Sequence, residues 1–81
     1  QSVAEVDIKS GDFIGRIDRL VVTDDTIFIL DYKTGAISRI MPTAYQQQLD
    51  NYAQAVQQLY PHHKIRTFLL WTEGPEMVEI S

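Results

Sequence analysis

A strongly apolar segment from Ile27 to Leu30 ends in an acid and a base, Asp31 and Lys33, with one residue between them. A short run of β-branched, aromatic and aliphatic residues is typical of a buried β-strand. Successive side chains of a strand alternate between its two faces, so Asp31 and Lys33 project from the same face. The sequence therefore predicts a strand whose end carries a carboxylate and an ammonium group side by side.

A second apolar segment, Phe13 to Val22, precedes this strand, and the polar residues 23–26 between the two are typical of a tight turn. Counted outward from this turn without a bulge, Asp18 lies directly opposite Asp31. Opposed side chains of antiparallel strands are about 5 Å apart at Cβ, where like charges repel each other. A divalent cation removes the repulsion, and Mg²⁺ commonly binds one or two carboxylates together with water. The pattern predicts a metal site suited to phosphate esters.

The composition is that of an ordinary globular domain, with 44% hydrophobic and 22% charged residues among 81. No apolar segment approaches the roughly 18 residues that span a membrane, so we expect no membrane partner. The absence of cysteine excludes disulfides, thiolate zinc sites and cysteine-ligated iron–sulfur clusters in these residues, and is compatible with the cytoplasmic location that we expect. A net charge of −4 disfavours a general nucleic-acid clamp, so any affinity for a polyanion has to be local and metal-assisted.

The remaining segments complete an α/β pattern. Apolar residues recur every three or four positions from Tyr45 to Leu59, which predicts a helix, and Gly35 with the polar residues after it ends the preceding strand pattern. A helix between two strands favours a parallel crossover, so we expect a mixed sheet with antiparallel hairpins and one long helix. The predicted strands are Ala4–Ile8, Phe13–Val22, Ile27–Tyr32, Lys64–Thr72 and Met77–Ile80.

The apolar run of the fourth predicted strand, Lys64–Thr72, is typical of a strand covered on both faces. One helix covers only one face of a sheet. We therefore expect a single domain over residues 1–81 that is truncated at its N-terminus, with a further covering element upstream of Gln1. An uncovered sheet face would also allow the chain to associate with itself.

Three sequence blocks resemble the PD-(D/E)xK nuclease superfamily, and within it the RecB/AddA-like nuclease domains attached to DNA repair helicases. The resemblance implies a restriction-endonuclease-like αβββαβ core, here without its first helix. It also implies Mg²⁺-dependent, exonuclease-type hydrolysis of DNA within an ATP-dependent helicase–nuclease of double-strand-break repair. The blocks, which stand in the order and at the spacing of the family, are residues 15–19 (GRIDR), 30–35 (LDYKTG) and 48–52 (QLDNY).

The same resemblance assigns roles to individual residues. Lys33 stabilises charge or orients the attacking water, and Mn²⁺ can substitute for Mg²⁺. Gln48 and Tyr52 are four positions apart and share a helix face. Without the resemblance, we would interpret Gln48 as a solvated residue and Tyr52 as a core residue. The implied catalytic set is Asp18, Asp31, Lys33, Gln48 and Tyr52, and the implied metal ligands are Asp18, Asp31 and the main-chain carbonyl of Tyr32.

Two alternatives stay open beside a catalytic nuclease. An incomplete nuclease-like domain would bind DNA or brace a complex without cutting, and an α/β interaction module would use the acids for a structural cation. An ion pair between Asp31 and Lys33 is worth only about 0.2–1 kcal/mol and requires no function. The partners that the resemblance implies are DNA, helicase domains of the same polypeptide and a second protein of the same complex.

Overall fold

A computed structural model describes residues 1–34, 43–73 and 75–80. The segment from Gly35 onward, in which the sheet pattern is predicted to end, lies at residues 35–42, outside the described residues. All predicted elements are present, with ends displaced by at most two residues. In chain order they are β1 (Ser2–Ser10), β2 (Phe13–Val22), β3 (Thr26–Lys33), α1 (Thr43–Leu59), β4 (Lys64–Trp71) and β5 (Glu76–Glu79).

The strands form one mixed sheet, in which they lie side by side in chain order. β3 and β4 are parallel, and the other neighbouring pairs are antiparallel. Helix α1 connects β3 to β4, because parallel neighbours cannot be joined by a tight hairpin. The α/β fold with antiparallel hairpins and one long helix is confirmed, and it is compatible with a restriction-endonuclease-like core.

The core lies between α1 and one face of the sheet. Burial along β4 alternates, with Leu69 and Trp71 buried and Phe68 and Leu70 half-buried. In the described part of the chain one helix packs on one face of the sheet, so the prediction that β4 is covered on both faces, which relies on a further covering element, stays a prediction. In those same residues, no helix combines the length and apolarity needed to cross a membrane. The central buried side chains are Ile17, Ile27, Ile29, Leu49, Val56, Thr67 and Leu69.

Strand β2 changes the phase of its alternation next to Asp18. Ile17 and Leu20 are both buried, although residues three apart in a regular strand face opposite sides. On the neighbouring strand, Glu5 has a φ of 57°, in the left-handed region that non-glycine residues rarely adopt. The paired positions resume with Val6 opposite Ile17. The regular pairing of β1 with β2 is thus interrupted at Glu5, opposite Asp18.

Candidate active site

The end of β3 carries Asp31 and Lys33 on one face, as strand alternation predicts. Lys33 Nζ lies 2.9 Å from Asp31 Oδ2, and the two side chains are 17% and 8% exposed. Within the described residues, Asp31 Oδ2 has no hydrogen bond of acceptable geometry, so the ammonium group is in contact but poorly aligned. A buried carboxylate oxygen that lacks a hydrogen bond is costly and calls for a further partner.

Asp18 reaches this carboxylate across the β2–β3 ladder. Arg19 pairs with Leu30, so the next residues outward are Asp18 and Asp31. Asp18 Oδ2 accepts the main-chain N–H of Tyr32 at 2.8 Å, and the Asp18 carboxyl lies close enough to Asp31 to raise the pKa of that group. The structure thus brings the two acids together as the turn count predicts. Their role as metal ligands stays a prediction.

The surroundings of Asp31 disfavour its charged form. Burial raises the pKa of the Asp31 carboxyl above its ordinary value, and the hydrogen bond and charge of Asp18 raise it further, while Lys33 acts in the opposite direction. A positive charge placed beside Asp31, such as that of a bound cation, would favour the charged form.

The donor set fits a hard divalent cation that retains water. In the part of the chain that the structure describes, no third acid, histidine or cysteine joins Asp18 and Asp31 in a cluster that could hold a metal ion. Two carboxylates, completed by main-chain carbonyls and water, suit Mg²⁺ better than a metal that requires a full cage of side chains. The carbonyl of Tyr32, which follows Asp31 directly, stays a predicted ligand.

Gln48 and Tyr52 bond to each other on α1. Gln48 Nε2 donates to the Tyr52 hydroxyl at 3.0 Å, and that hydroxyl donates to the main-chain carbonyl of Arg16 at 2.8 Å. The contacts described for these side chains thus run to β2, two residues before Asp18, and not to the acids themselves. Their predicted catalytic roles remain predictions, whereas a connection between α1 and the strand of Asp18 is present in the structure.

The Tyr52 ring fits here because residue 15 is a glycine. Tyr52 is only 2% exposed, and Phe13 packs edge-on against it with ring centroids 5.7 Å apart. A Cβ at Gly15 would lie 2.7 Å from Tyr52 Cε1, closer than packed atoms approach. Gly15 therefore allows the helix to approach β2 closely enough for the hydroxyl to reach Arg16.

Tyr45 adds a contact that the sequence pattern does not reveal. Lys33 Nζ lies over the Tyr45 ring, 4.1 Å from its centroid. The helical spacing places Tyr45 on the apolar face with Leu49 and Tyr52, but gives no sign of which strand that ring meets. The contact depends on how α1 lies across the sheet, which local periodicity does not determine.

Removing the Tyr52 hydroxyl tests its connection to β2. Tyr52→Phe keeps the ring but leaves the Arg16 carbonyl and the Gln48 amide without this partner. We expect the free energy of unfolding to fall by about 1–2 kcal/mol in urea denaturation. Tyr60→Phe is the matched control, because the contacts of Tyr60 with the other described residues are made by its ring and main chain. Equal stability of the two variants would contradict a contribution from the Tyr52 hydroxyl.

Residues 1–79 match the family model of the PD-(D/E)XK nuclease superfamily. The chain belongs to this superfamily, which confirms the resemblance of its three sequence blocks. It is 37% identical over 70 residues to an ATP-dependent helicase/nuclease subunit from Streptococcus pyogenes serotype M5 (strain Manfredo), covering 82% of this chain and 6% of that protein. It is 33% identical over 84 aligned positions to the protein of the same name from Streptococcus thermophilus (strain ATCC BAA-491 / LMD-9), covering 96% of this chain and 7% of that protein. The chain thus spans less than a tenth of the length of these curated relatives.

Proposed function

We propose that this chain is a Mg²⁺-dependent deoxyribonuclease domain that hydrolyses DNA phosphodiesters. One observation carries the proposal: the buried Asp31 carboxylate lies beside Asp18 and Lys33, and its Oδ2 has no hydrogen bond within the described residues. Membership of the nuclease superfamily supports the same chemistry. A structural ion pair alone would not require a second acid opposite Asp31, where like charges repel.

The residues of this chain have separate roles in the proposed reaction. Asp18 and Asp31, with the carbonyl of Tyr32, would hold the divalent cation, and the main-chain N–H of Tyr32 fixes the orientation of Asp18. When bound, the cation polarises the phosphate and lowers the pKa of a coordinated water. Lys33 places a positive charge where the pentacoordinate phosphate develops negative charge.

The similarity to the streptococcal proteins extends the proposal to the whole polypeptide. The name of these relatives combines an ATP-dependent helicase and a nuclease. We accordingly propose that the domain acts as an exonuclease on DNA delivered by helicase domains of the same polypeptide, together with a second protein of the complex, in cytoplasmic double-strand-break repair. Mn²⁺ would replace Mg²⁺ in this site, because both accept carboxylate and water ligands.

The proposed function is tested by DNA cleavage with the full-length protein. We expect EDTA to stop cleavage of linear DNA, and Mg²⁺ or Mn²⁺ added in excess to restore it. We expect Lys33→Gln to lower the single-turnover cleavage rate about 100-fold without changing the Kd for DNA, because it removes a charge needed mainly in the transition state. The cleavage rate and the Kd are measured on the same substrate.

Lys64→Gln is the matched control, because Lys64 is an exposed lysine at the start of β4. It should cleave DNA at the wild-type rate. Wild-type protein that binds DNA but does not cut it with either metal would reject the enzyme and favour a nuclease-like domain that only binds. Unchanged cleavage by Lys33→Gln would reject the role of Lys33.

A further inference from the structure

The Tyr45 ring lies against the charged end of Lys33. The ammonium Nζ is 4.1 Å from the ring centroid and 2.9 Å from Asp31 Oδ2. With the lysine side chain only 17% exposed, most of the water that would otherwise solvate it is excluded. A cation above an aromatic face is attracted by the electron-rich ring, and the attraction is stronger where water is excluded. Among the residues that the structure describes, Lys33 therefore has two partners that contact its charged group, one anionic and one aromatic.

The two residues belong to elements that are held together elsewhere. Lys33 is the last residue of β3, and Tyr45 lies in the first turn of α1. The helix face that carries Tyr45 continues through Leu49 and Tyr52, which are 0% and 2% exposed. This buried face fixes the helix on the sheet, so the position of the Tyr45 ring is set independently of Lys33.

When a divalent cation is bound, the Asp31 carboxylate would hold Lys33 less firmly than the Tyr45 ring does. A cation held by Asp18 and Asp31 would compete with Lys33 for the Asp31 carboxylate and would repel the ammonium group. Lysine has a flexible four-carbon stem, and a side chain released by its anion gains rotamer entropy by turning to solvent. The ring does not compete with Asp31 for the cation's ligands, so its attraction for Lys33 persists.

We propose that Tyr45 is a positioning residue that keeps the Lys33 ammonium beside Asp31 when a divalent cation and a phosphate group enter the site. This inference rests on the proposed function for its catalytic consequence, but the contact itself is measurable without activity. The face of the ring provides the attraction and the hydroxyl does not. Tyr45→Phe should therefore retain the effect, and Tyr45→Leu should lose it.

The contact is measured by NMR of the full-length protein after reductive methylation of its lysines with ¹³C-formaldehyde, which preserves their positive charge. Methyl groups on an ammonium above an aromatic face shift upfield through the ring current, and Lys33→Arg assigns the signal. We expect an upfield Lys33 signal in wild type and Tyr45→Phe, with and without Mg²⁺. In Tyr45→Leu it should move to the position of exposed lysines. Tyr60→Leu, a change just after the last residue of α1, should leave it in place.

The catalytic consequence is measured by single-turnover DNA cleavage with unmethylated protein. We expect Tyr45→Leu to lower the cleavage rate about 2- to 30-fold, the range that corresponds to a cation–π contact, with an unchanged Kd for DNA. Tyr45→Phe should restore the wild-type rate, and Tyr60→Leu should not lower it. A loss of helix stability alone would affect Tyr45→Leu and Tyr60→Leu together.

Each remaining outcome separates this inference from the proposed function. A wild-type Lys33 signal at the position of exposed lysines would overturn the positioning role, as would a Tyr45→Leu variant with weakened DNA binding and an unchanged cleavage rate. If Tyr45→Leu and Tyr60→Leu lowered the cleavage rate equally, Tyr45 would have only a structural role. Wild-type protein that shows the shifted, Tyr45-dependent signal but cleaves no DNA would reject the proposed function and uphold the contact.

Discussion

Asp31→Asn will abolish DNA cleavage and make the metal-free chain more stable at neutral pH than the wild type. Asparagine has the size of aspartate but cannot supply the negative charge that binds a hard cation. Metal-ion catalysis contributes several kcal/mol to the stabilisation of the transition state, so we expect the cleavage rate to fall at least about 1000-fold. The heat of Mg²⁺ binding in calorimetry should disappear with it.

The gain in stability follows from the raised pKa of Asp31. Burial is the largest cause and Asp18 adds to it, while Lys33 opposes it. As the pH rises past the ordinary aspartate pKa, the unfolded chain releases the proton of Asp31 and the folded chain retains it. The unfolded state then binds fewer protons, so the stability of the wild type falls until the pH exceeds the folded-state pKa. The wild-type chain is thus penalised at neutral pH, and the asparagine variant is not.

Urea unfolding of the two metal-free proteins from about pH 3.5 to about pH 8 measures this effect. Trp71, the one tryptophan of the chain, is 7% exposed and reports unfolding by its fluorescence. The advantage of Asp31→Asn should grow with pH across the window. Asp24→Asn, in the exposed β2–β3 turn, is the control and should change neither activity nor stability. If the Asp31→Asn chain were less stable than the wild type at every pH, the ion pair with Lys33 would outweigh the cost of burying the Asp31 carboxylate.

Gly15→Ala will destabilise the chain, although alanine is favoured over glycine in a strand by backbone entropy. The added Cβ would lie 2.7 Å from Tyr52 Cε1 and 2.9 Å from Phe13 Cζ. Tyr52 cannot retreat easily, because it is buried and its hydroxyl is bonded to the Arg16 carbonyl. Overpacking of this kind costs about 1–3 kcal/mol, which urea denaturation would measure as a lower free energy of unfolding.

A second glycine and a double mutant separate the clash from other causes. Gly11→Ala has no atom within 4 Å of the new Cβ, but Gly11 has a φ of 58°, so its expected cost of about 1–2 kcal/mol comes from the backbone alone. Combined with Tyr52→Leu, Gly15→Ala should cost markedly less, because the leucine vacates the space. A Gly15→Ala cost that is unchanged in the Tyr52→Leu background would assign the effect to something other than the ring.

The β2–β3 register was predictable because it depends on local rules. A short polar turn between two apolar strands fixes the pairing, and a period of two then brings Asp18 opposite Asp31. The α1 face was predictable for the same reason, from the spacing of its apolar residues. Both inferences use residues that are near one another in sequence or follow a strict repeat.

The contacts that were not predictable depend on how α1 lies on the sheet. Tyr52 bonds to a carbonyl 36 residues away, and the Lys33–Tyr45 contact joins the ends of two elements. The positive φ of Glu5 also escapes the sequence pattern, because nothing in a single glutamate signals a left-handed backbone. The covering of both faces of β4 stays a prediction, since composition alone does not say how much protein covers each face.

Helix α1 contacts both halves of the candidate active site through one rigid body. Tyr45 holds the lysine at the end of β3, and Tyr52, about 10 Å further along the helix axis, bonds to the strand that carries Asp18. A tilt of this rod displaces both anchor points together, so base and acid lose their alignment in a single movement. A ligand or neighbouring protein that moves α1 away from the sheet would therefore inhibit the proposed DNA cleavage without contacting the proposed metal site or the DNA.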